Sequence, residues 1–419
     1  MRIRYIYSAC VVLETSDVSI LCDPWFTQGA YDGSWYQYPP IDDPVATIGP
    51  VDVIYVSHIH PDHYDPVFLH RYLAAYPKSR LIIAHQAQPF LLKKMRRDGF
   101  DPQVVEQKRF GDTNICIAPS TCGIVNIDSA LAVTNKGHAI IAMNDNPFDA
   151  AQVGALLKFC EGSSLEAALL PHSGAGPFPQ TFEFKTQADL HGAVETKRKQ
   201  FLDLFTRYMQ AIDPRCAIPY AGQYYLGGPL VRLNHFRGMT DATEAAALFP
   251  ESAIVLADGG HAYYDTETRS ASAVRTQPHD EGAAETYLAS MGFSGFDYER
   301  ELNFLEGRHL PLLPLLETAQ RAAKRRISVD NPYWLCFAPS AQDGFLCFNV
   351  VGEEPVQVLD DVSHLEPRCE ISIDARYFFG LLSGLYHWNN AEVGSHYRSR
   401  RTPDGYRPEV YRLLDRLHV

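Results

Sequence analysis

The feature that most constrains this chain is a group of potential metal ligands placed directly after a short apolar segment. Residues 51–56 are apolar apart from Asp52 and rich in β-branched side chains, which predicts a buried strand. His58, His60, Asp62 and His63 follow at once, and neutral imidazole and carboxylate are ligands that zinc, iron and manganese accept. A turn there can aim His58 and His60 at one metal, and Asp62 and His63 at a neighbouring one. The alternative interpretation is an ordinary polar surface loop.

Composition narrows the class of protein further. The chain has 419 residues, of which 46% are hydrophobic and 21% charged, so it can bury a core and is long enough for two domains. A net charge of -13 would repel a phosphate backbone, so nucleic acid is not expected as a partner. No apolar run reaches the roughly 18 to 20 residues of a membrane span, and residues 1–13 read as a strand rather than a signal peptide.

The pattern of the nine cysteines does not predict a disulfide framework. Their number is odd, and no Cys-x-x-Cys pair occurs. Most of them lie in apolar, strand-like runs, where a thiol packs as a small hydrophobic group. We therefore expect a reduced, cytoplasmic protein without a membrane partner.

The order of apolar patterns predicts helices packed on sheets. Strands are expected at 2–7, 10–14, 18–22 and 51–57, and a helix of about 26 residues at 187–212. Residues 130–133 and 138–143 predict a hairpin turning at 135–137, with Asn144 and Asp145 at its exit. Residues 265–285 read as a linker or long surface loop, so we predict domains at 1–264 and 265–419, the second an α+β unit.

The pattern His-x-His-x-Asp-His after a strand resembles the metal-binding signature of the metallo-β-lactamase fold. The segments 7–15 and 21–26 are similar to the start of the ascorbate-6-phosphate-lactonase-like branch of that superfamily. The resemblance implies an α/β fold, specifically an αββα sandwich with a metal centre at its edge. It implies that Asp23 supports the histidine loop without binding metal, and that Asp145 bridges two metals. A turn-forming Asp-Pro and a plain loop aspartate are the respective alternatives.

Two positions depart from the family pattern. The histidine expected about 25 residues before the bridging aspartate is absent from 118–123, where Cys122 is either a substitute thiolate ligand or, as we prefer, an inert thiol. The last family histidine is replaced by Ala221. His172, before a glycine-rich turn, is a candidate metal or substrate residue that would repair the set. The remaining ligands suffice for one or two divalent ions, zinc or iron.

Residues 173–179, 219–222 and 144–145 resemble a narrower branch that contains CMP-N-acetylneuraminate hydroxylase and UDP-N-acetylmuramate hydroxylase-like proteins. This similarity is looser and extends over residues 1–262. Those hydroxylases depend on a Rieske iron–sulfur centre, whose ligands follow Cys-x-His and Cys-x-x-His spacing. The sequence contains neither pattern, so a hydroxylase of this kind would need electrons from a separate partner.

Aromatic and polar residues outside the histidine loop suggest a substrate pocket. The predicted pocket residues are Tyr224, Tyr225, His235 and His261, with ordinary packing as the alternative. The loop 26–40, with Trp25, Trp35, Tyr36 and Tyr38, is a candidate lid over the metal, or a satellite core. Residues 377–390 are similar to the small α+β module called a sterol-carrier-like domain, which does not by itself imply lipid binding.

The leading hypothesis is a metal-dependent hydrolase that acts on an ester, lactone, amide or phosphodiester of a small molecule. Asp62 and Asp145 are its predicted catalytic carboxylates. The main alternative is a non-haem iron hydroxylase of an N-acyl or nucleotide-linked sugar. A third hypothesis is a scaffold that binds a ligand without turnover. It is suggested by the absence of two histidines that the family pattern would place here.

Overall fold

The computed structural model describes residues 1–122, 126–340 and 342–419. The strands are β1 Arg2–Tyr7, β2 Cys10–Glu14, β3 Ser19–Cys22, β4 Trp35–Tyr36, β5 Val53–Val56, β6 Arg80–Ile83, β7 Gln103–Val104, β8 Gln107–Phe110, β9 Thr113–Pro119, β10 Ser129–Asn135, β11 His138–Ala142, β12 Ser164–Pro171, β13 Ala217–Tyr220, β14 Tyr225–Leu226, β15 Ala262–Asp265, β16 Ser270–Ser272, β17 Trp334–Pro339, β18 Phe345–Asn349, β19 Gln357–Leu359, β20 Arg368–Ile373 and β21 Arg398–Thr402. The helices are α1 Ala30–Gly33, α2 Pro44–Ile48, α3 Pro66–Ala75, α4 Phe90–Arg97, α5 Ala150–Phe159, α6 Gln187–Ile212, α7 Ala242–Ala247, α8 Glu281–Ser290, α9 Asp297–Glu301, α10 Leu312–Arg326, α11 Ala375–Leu382, α12 Trp388–Val393 and α13 Pro408–Leu414, with short 3-10 segments at Gly228–Phe236 and Asn303–Leu305.

Two mixed sheets pack face to face in the N-terminal unit. The first has the strand order β16-β15-β1-β2-β3-β5-β6-β7, and the second has the order β13-β12-β11-β10-β9-β8. One buried cluster between them takes side chains from both sheets, among them Val11, Tyr55, Leu131 and Leu169. The outer face of the first sheet packs on α3 and α4, and that of the second on α5 and α6. The predicted αββα sandwich is thus confirmed.

Strand β5 shows why the histidine loop is held rigidly. Its side chains alternate, with Val53 and Tyr55 in the core between the sheets, and Ile54 and Val56 in the cluster beneath α3 and α4. The strand is parallel to both of its neighbours, β3 and β6. A parallel strand buried on both faces reads as a continuous apolar run, which is what the sequence has here. The loop that follows therefore starts from a fixed point at the edge of the sandwich.

The second sheet brings the predicted bridging aspartate to the same edge. Strands β10 and β11 form the expected hairpin, pairing Asn135 with His138 and Leu131 with Ala142. Strand β12 runs parallel to β11 and to β13. Asn144 and Asp145 follow β11 directly, and Asn144 takes a left-handed backbone (φ 55°) that turns the chain.

The first sheet continues beyond residue 264. Strand β15 pairs with β1, matching Tyr5 with Ala262, and β16 pairs with β15. The stretch 265–285, expected to be a linker or surface loop, is thus not only loop, because it contains β16 and the start of α8. Its polar composition reflects the exposed edge position of β16, where only one side of the strand needs a partner.

The C-terminal unit has its own sheet and core. Its strands follow the order β19-β18-β17-β20-β21. Helices α10, α11 and α13 cover one face, and Phe337, Leu346, Phe378 and Trp388 are among the side chains buried there. It is a mixed sheet with helices, as predicted for the α+β unit. None of the helices in the described part of the chain has both the length and the apolar character needed to cross a bilayer.

Candidate metal centre

The loop after β5 holds the predicted histidines in a fixed arrangement. His58 is fully buried (0% exposed), and its Nδ1 lies 2.9 Å from Ser57 Oγ. Its Nε2 faces His60 Nδ1 at 2.7 Å. The loop ends at Asp65, whose carboxylate begins α3 by accepting a hydrogen bond from Phe68 N–H. Two ring nitrogens from one strand end therefore meet at one point, as a shared metal ion requires.

Asp145 lies between two groups of these side chains. Its Oδ1 is 3.8 Å from His58 Nε2, and its Oδ2 is 3.6 Å from His63 Nε2. Asp62 Oδ2 lies 3.4 Å from the same nitrogen of His63. Ligand atoms of His58, His60 and Asp145 all lie within 4.8 Å of one another. Each oxygen of Asp145 therefore faces a different histidine.

Asp23 stands behind the loop. Its Oδ1 accepts a hydrogen bond from Ser57 N–H at 2.7 Å, and its Oδ2 accepts one from His63 Nδ1–H at 3.1 Å. This bond makes Nδ1 of His63 a donor and turns its Nε2 towards Asp62 and Asp145. A carboxylate partner of this kind fixes the tautomer and the orientation of a metal-binding histidine. This is the supporting role that the family resemblance implies for Asp23.

Asp128 belongs to the centre and was not among the predicted residues. Its Oδ1 lies 3.8 Å from His58 Nε2, the same distance as Asp145 Oδ1. It precedes β10, and continuing the β10–β11 register beyond Leu131 and Ala142 places it opposite Asp145. The predicted hairpin contained the information needed to find Asp128. Pairing residues outward from its turn matches Asp128 with Asp145. A carboxylate thus approaches His58 in a centre where the family's third imidazole is missing.

The charges of the centre are shaped by burial and by close neighbours. Burial lowers the pKa of His58 and of His60, so both rings are neutral at pH 7. Burial also lowers the pKa of His63, but Asp145, Asp62 and the supporting Asp23 outweigh it and hold that pKa well above its ordinary value. The result is one positive ring surrounded by carboxylates, with two neutral rings beside it.

Asp128 and Asp145 indicate that the centre fits a divalent cation. Burial raises the pKa of Asp128 to about 7, repulsion from Asp145 adds to the rise, and His63 opposes it. Among the described residues, Asp145 Oδ1 is buried without a hydrogen-bond partner. A cation at this point would satisfy that oxygen and remove the repulsion between the two carboxylates. The donor set of imidazole nitrogen and carboxylate oxygen suits zinc, iron and manganese.

The two positions that depart from the family pattern have structural explanations. Cys122 Sγ lies 3.7 Å from Ser120 Oγ and 3.7 Å from the Phe148 carbonyl oxygen, and the metal-competent group does not include it. Residue 123, the last of that stretch, lies outside the described residues. At the other position, the strand that precedes Ala221 ends in Tyr220, whose hydroxyl donates to Asn144 Oδ1 at 2.6 Å. The phenol thereby holds the turn that carries Asp145.

His172 lies apart from the predicted ligands. It is buried, its Nδ1–H donates to the Tyr220 carbonyl oxygen at 3.2 Å, and burial lowers its pKa to about 4. It lines a cavity of about 260 Å³ together with Tyr224, Tyr225 and Arg237. Two other predicted pocket residues lie elsewhere in the described structure: His235 is exposed and pairs with Glu281 and Glu285, and His261 is exposed.

The aromatic loop 26–40 reaches the centre through a residue that sequence reasoning did not single out. Tyr31 O–H donates to Asp62 Oδ1 at 2.6 Å. Trp35 stacks on Tyr224, with ring centres 3.3 Å apart, and contacts Tyr31 at a tilt, with ring centres 4.4 Å apart. Trp25 is buried beside Trp35. The loop is a packed wall next to the metal-binding residues, and Tyr31 is its contact with them.

Part of this chain is similar to known proteins. The family model described as a β-lactamase superfamily domain matches residues 2–135, which include the histidine loop. The N-terminal unit has the metallo-β-lactamase fold. Among solved structures, the isothiocyanate hydrolase from Delia radicum gut bacteria is similar, with a TM-score of 0.43 and 17% identity, over 62% of this chain and 97% of that one.

Two groups of curated relatives match the N-terminal part of this chain. A protein of Mycolicibacterium smegmatis named as a Rieske 2Fe-2S iron-sulfur protein is 26% identical over 270 residues, which is 61% of this chain and 49% of the relative. The cytidine monophosphate-N-acetylneuraminic acid hydroxylase of Gorilla gorilla gorilla is 26% identical over 247 residues, 55% of this chain and 38% of the hydroxylase. The chain thus spans half or less of the length of these relatives.

Proposed function

We propose that this protein is a metal-dependent hydrolase that directs water onto an ester, lactone, amide or phosphodiester of a small-molecule substrate. The observation that carries the proposal is the convergence of His58, His60, Asp62, His63 and Asp145 on one volume at the sandwich edge. Hydrolysis needs water as its only co-reactant, so it requires no redox partner in addition to the metal that these residues would hold.

A divalent cation bound there would lower the pKa of its bound water and would stabilise the negative charge of the developing oxyanion. His58 and His60 would hold it from one side, with Asp128 and Asp145 completing the group. His63 and Asp62 would hold a second ion, with Asp145 shared between the two. We assign zinc or iron as the metal.

In this proposal, Asp62 orients the attacking water and accepts its proton. Tyr31 O–H holds one oxygen of this carboxylate, and the other faces His63. Both restraints limit rotation of the carboxylate, so its free lone pairs keep a constant direction. A positioned carboxylate within hydrogen-bond reach of a water is the usual geometry of a general base.

The test combines metal analysis with activity panels. His60→Ala and Asp145→Ala should each lower metal content per chain and abolish any ester, lactone or phosphodiester hydrolysis shown by the wild type. His364→Ala, an exposed histidine in the C-terminal unit, is the matched control and should change neither. Retention of both metal and activity in His60→Ala and Asp145→Ala would refute the proposal. A well-folded wild type that binds no metal would favour a scaffold without turnover.

A second candidate is an iron-dependent hydroxylase of an N-acyl or nucleotide-linked sugar. Two observations favour it: Asp128 makes the ligand set richer in carboxylate, which suits iron, and some relatives are named as hydroxylases. Hydroxylation would use O₂, leave one oxygen atom in water, and take two electrons from a separate redox partner. Oxygen consumption that requires both reductant and iron distinguishes this candidate from a hydrolase.

We also propose a cytoplasmic location. The nine cysteines are an odd number without a Cys-x-x-Cys pair, and most of them lie in buried apolar strands. This pattern suits thiols that pack as small hydrophobic groups in a reducing compartment, and it does not suit a disulfide framework. Thiol counting on protein released from fractionated cells, under conditions that block exchange, tests this location.

A further inference from the structure

The C-terminal unit contributes a side chain to the metal centre. His60 Nε2–H donates to Asn389 Oδ1 at 3.1 Å, across 329 residues of sequence. Asn389 lies in the first turn of α12, and its own N–H donates to His387 Nδ1, which begins that helix. Next to it, Trp388 is buried, and its Nε1–H donates to the Leu417 carbonyl oxygen at 2.8 Å. Asn389 is therefore held in place by the C-terminal core.

This contact decides which nitrogen of His60 carries the proton. The amide oxygen of Asn389 accepts only, so Nε2 is protonated and Nδ1 keeps its lone pair. Nδ1 is the atom that faces His58 Nε2 at 2.7 Å. A metal-binding histidine ordinarily donates its second ring N–H to a fixed acceptor, and this bond sets the ring's tautomer and orientation. Asn389 is in the place of that acceptor for His60.

The same unit also holds the turn that carries Tyr31. Tyr31 and Asp32 both have left-handed backbones, with φ of 54° and 58°, an arrangement that non-glycine residues adopt only when their surroundings impose it. His396 Nε2–H donates to the Tyr31 carbonyl oxygen at 2.7 Å, and Tyr377 O–H donates to Asp32 Oδ2 at 2.6 Å. Both donors belong to the C-terminal unit. They hold the turn from which the Tyr31 hydroxyl reaches Asp62.

We propose that the C-terminal unit completes the metal centre: Asn389 positions His60 for metal binding, and His396 and Tyr377 hold Tyr31 against Asp62. Asn389 is a positioning residue, because it acts through His60. The inference rests on the metal site of the proposed function, but it does not depend on which reaction that site catalyses. Under this proposal, the C-terminal unit supports metal binding, which is a different role from substrate binding.

Zinc affinity of the full-length protein tests the Asn389 contact. The dissociation constant for Zn²⁺ alone is measured by competition with a chromophoric chelator, for wild type, Asn389→Ala and Asn389→Asp. Asn389→Ala should bind zinc about 10- to 100-fold more weakly, the usual effect of losing such a supporting bond. Asn389→Asp keeps an acceptor and should recover most of the affinity. Asn303→Ala, an exposed asparagine elsewhere in the unit, is the matched control.

The visible spectrum of the cobalt-substituted protein reports the geometry around the ion directly. Asn389→Ala should change the Co²⁺ absorption bands, and Asn389→Asp should restore them. For the Tyr31 turn, Tyr377→Phe should shift the same bands. Tyr386→Phe is its matched control, because Tyr386 O–H donates to Glu301, an exposed residue, at 2.6 Å. Equal changes in Tyr377→Phe and Tyr386→Phe would overturn the role given to Tyr377.

Each remaining outcome separates the inference from the proposed function. Zinc affinity of Asn389→Ala within twofold of wild type overturns the inference, whatever the activity. An equal loss in Asn389→Asp also overturns it, because the acceptor is then not what matters. Metal binding that responds to Asn389 as expected, in a protein without hydrolytic activity, supports the inference and rejects the hydrolase. A wild type that binds no transition metal rejects both.

Discussion

Lys197 provides a quantitative test of how burial shapes this fold. It lies on α6, it is only 7% exposed, and its ammonium donates to the Phe178 carbonyl oxygen at 2.8 Å. Burial, with a smaller contribution from Arg237, lowers its pKa from the ordinary 10.5 to about 7. We predict that replacing it by methionine, which keeps the length and apolar stem of the side chain, changes the pH dependence of stability.

The magnitude and its sign follow from proton linkage. The folded-state pKa is depressed, so the unfolded state binds more protons between about pH 7 and pH 10, and the free energy of unfolding rises with pH in that window. At neutral pH the depressed pKa costs the wild type on the order of 4 kcal/mol. Of this, about 2 kcal/mol is recovered between pH 7 and pH 9. Below the folded-state pKa the cost is constant.

Urea denaturation of wild type and Lys197→Met, followed by circular dichroism, measures this effect. Between pH 7 and pH 9 the wild type should gain about 2 kcal/mol more than the variant. The change in unfolding free energy with pH is a better measure than the difference in unfolding free energy at one pH. The lost bond to the Phe178 carbonyl costs the variant about the same free energy at each pH. Lys199→Met, an exposed lysine on the same helix, should behave like wild type. Parallel curves for wild type and Lys197→Met would refute the reasoning.

Three further outcomes are expected. Asp128→Ala should lower bound metal per chain in elemental analysis after dialysis, whereas Asp128→His should retain it; equal metal in wild type and Asp128→Ala would contradict its place in the centre. Gly227→Ala places a Cβ atom 2.3 Å from the Tyr36 ring, so thermal unfolding should show a loss of about 1–3 kcal/mol. Tyr220→Phe removes the hydroxyl bonded to Asn144 and should cost about 1–3 kcal/mol, and an unchanged melting temperature would argue against that bond.

Much of the fold was predictable because its signals are local. The α6 helix was predicted at 187–212 and is observed at Gln187–Ile212, because its apolar spacing and its capping threonine are both visible in the sequence. Strands β1 and β2 were predicted at their observed bounds for the same reason. Strand β16 was missed because it is short, polar and at a sheet edge, where packing demands little of its side chains.

The candidate site was predictable where ligands follow one another along the chain and not where they meet across it. His58, His60, Asp62 and His63 follow one strand, so their proximity is local. Asp128 was missed because its place depends on hairpin register rather than on a motif. The contacts of Tyr31 and Asn389 with the centre depend on the conformation of a loop and on the position of a second unit. No local sequence motif indicates these contacts. Long-range contacts of this kind need the assembled fold before they become visible.

The pairing of β1 with β15 has a consequence for how the protein is made. Strand β1 has β2 on one side, but its other neighbour, β15, begins at Ala262. At about 5–20 residues per second, a ribosome needs on the order of 10 to 50 seconds to reach that residue. During that time one edge of β1 has no partner, and an unpaired edge invites association with other chains. The yield of folded protein in cells should therefore depend on how well that edge is shielded during synthesis.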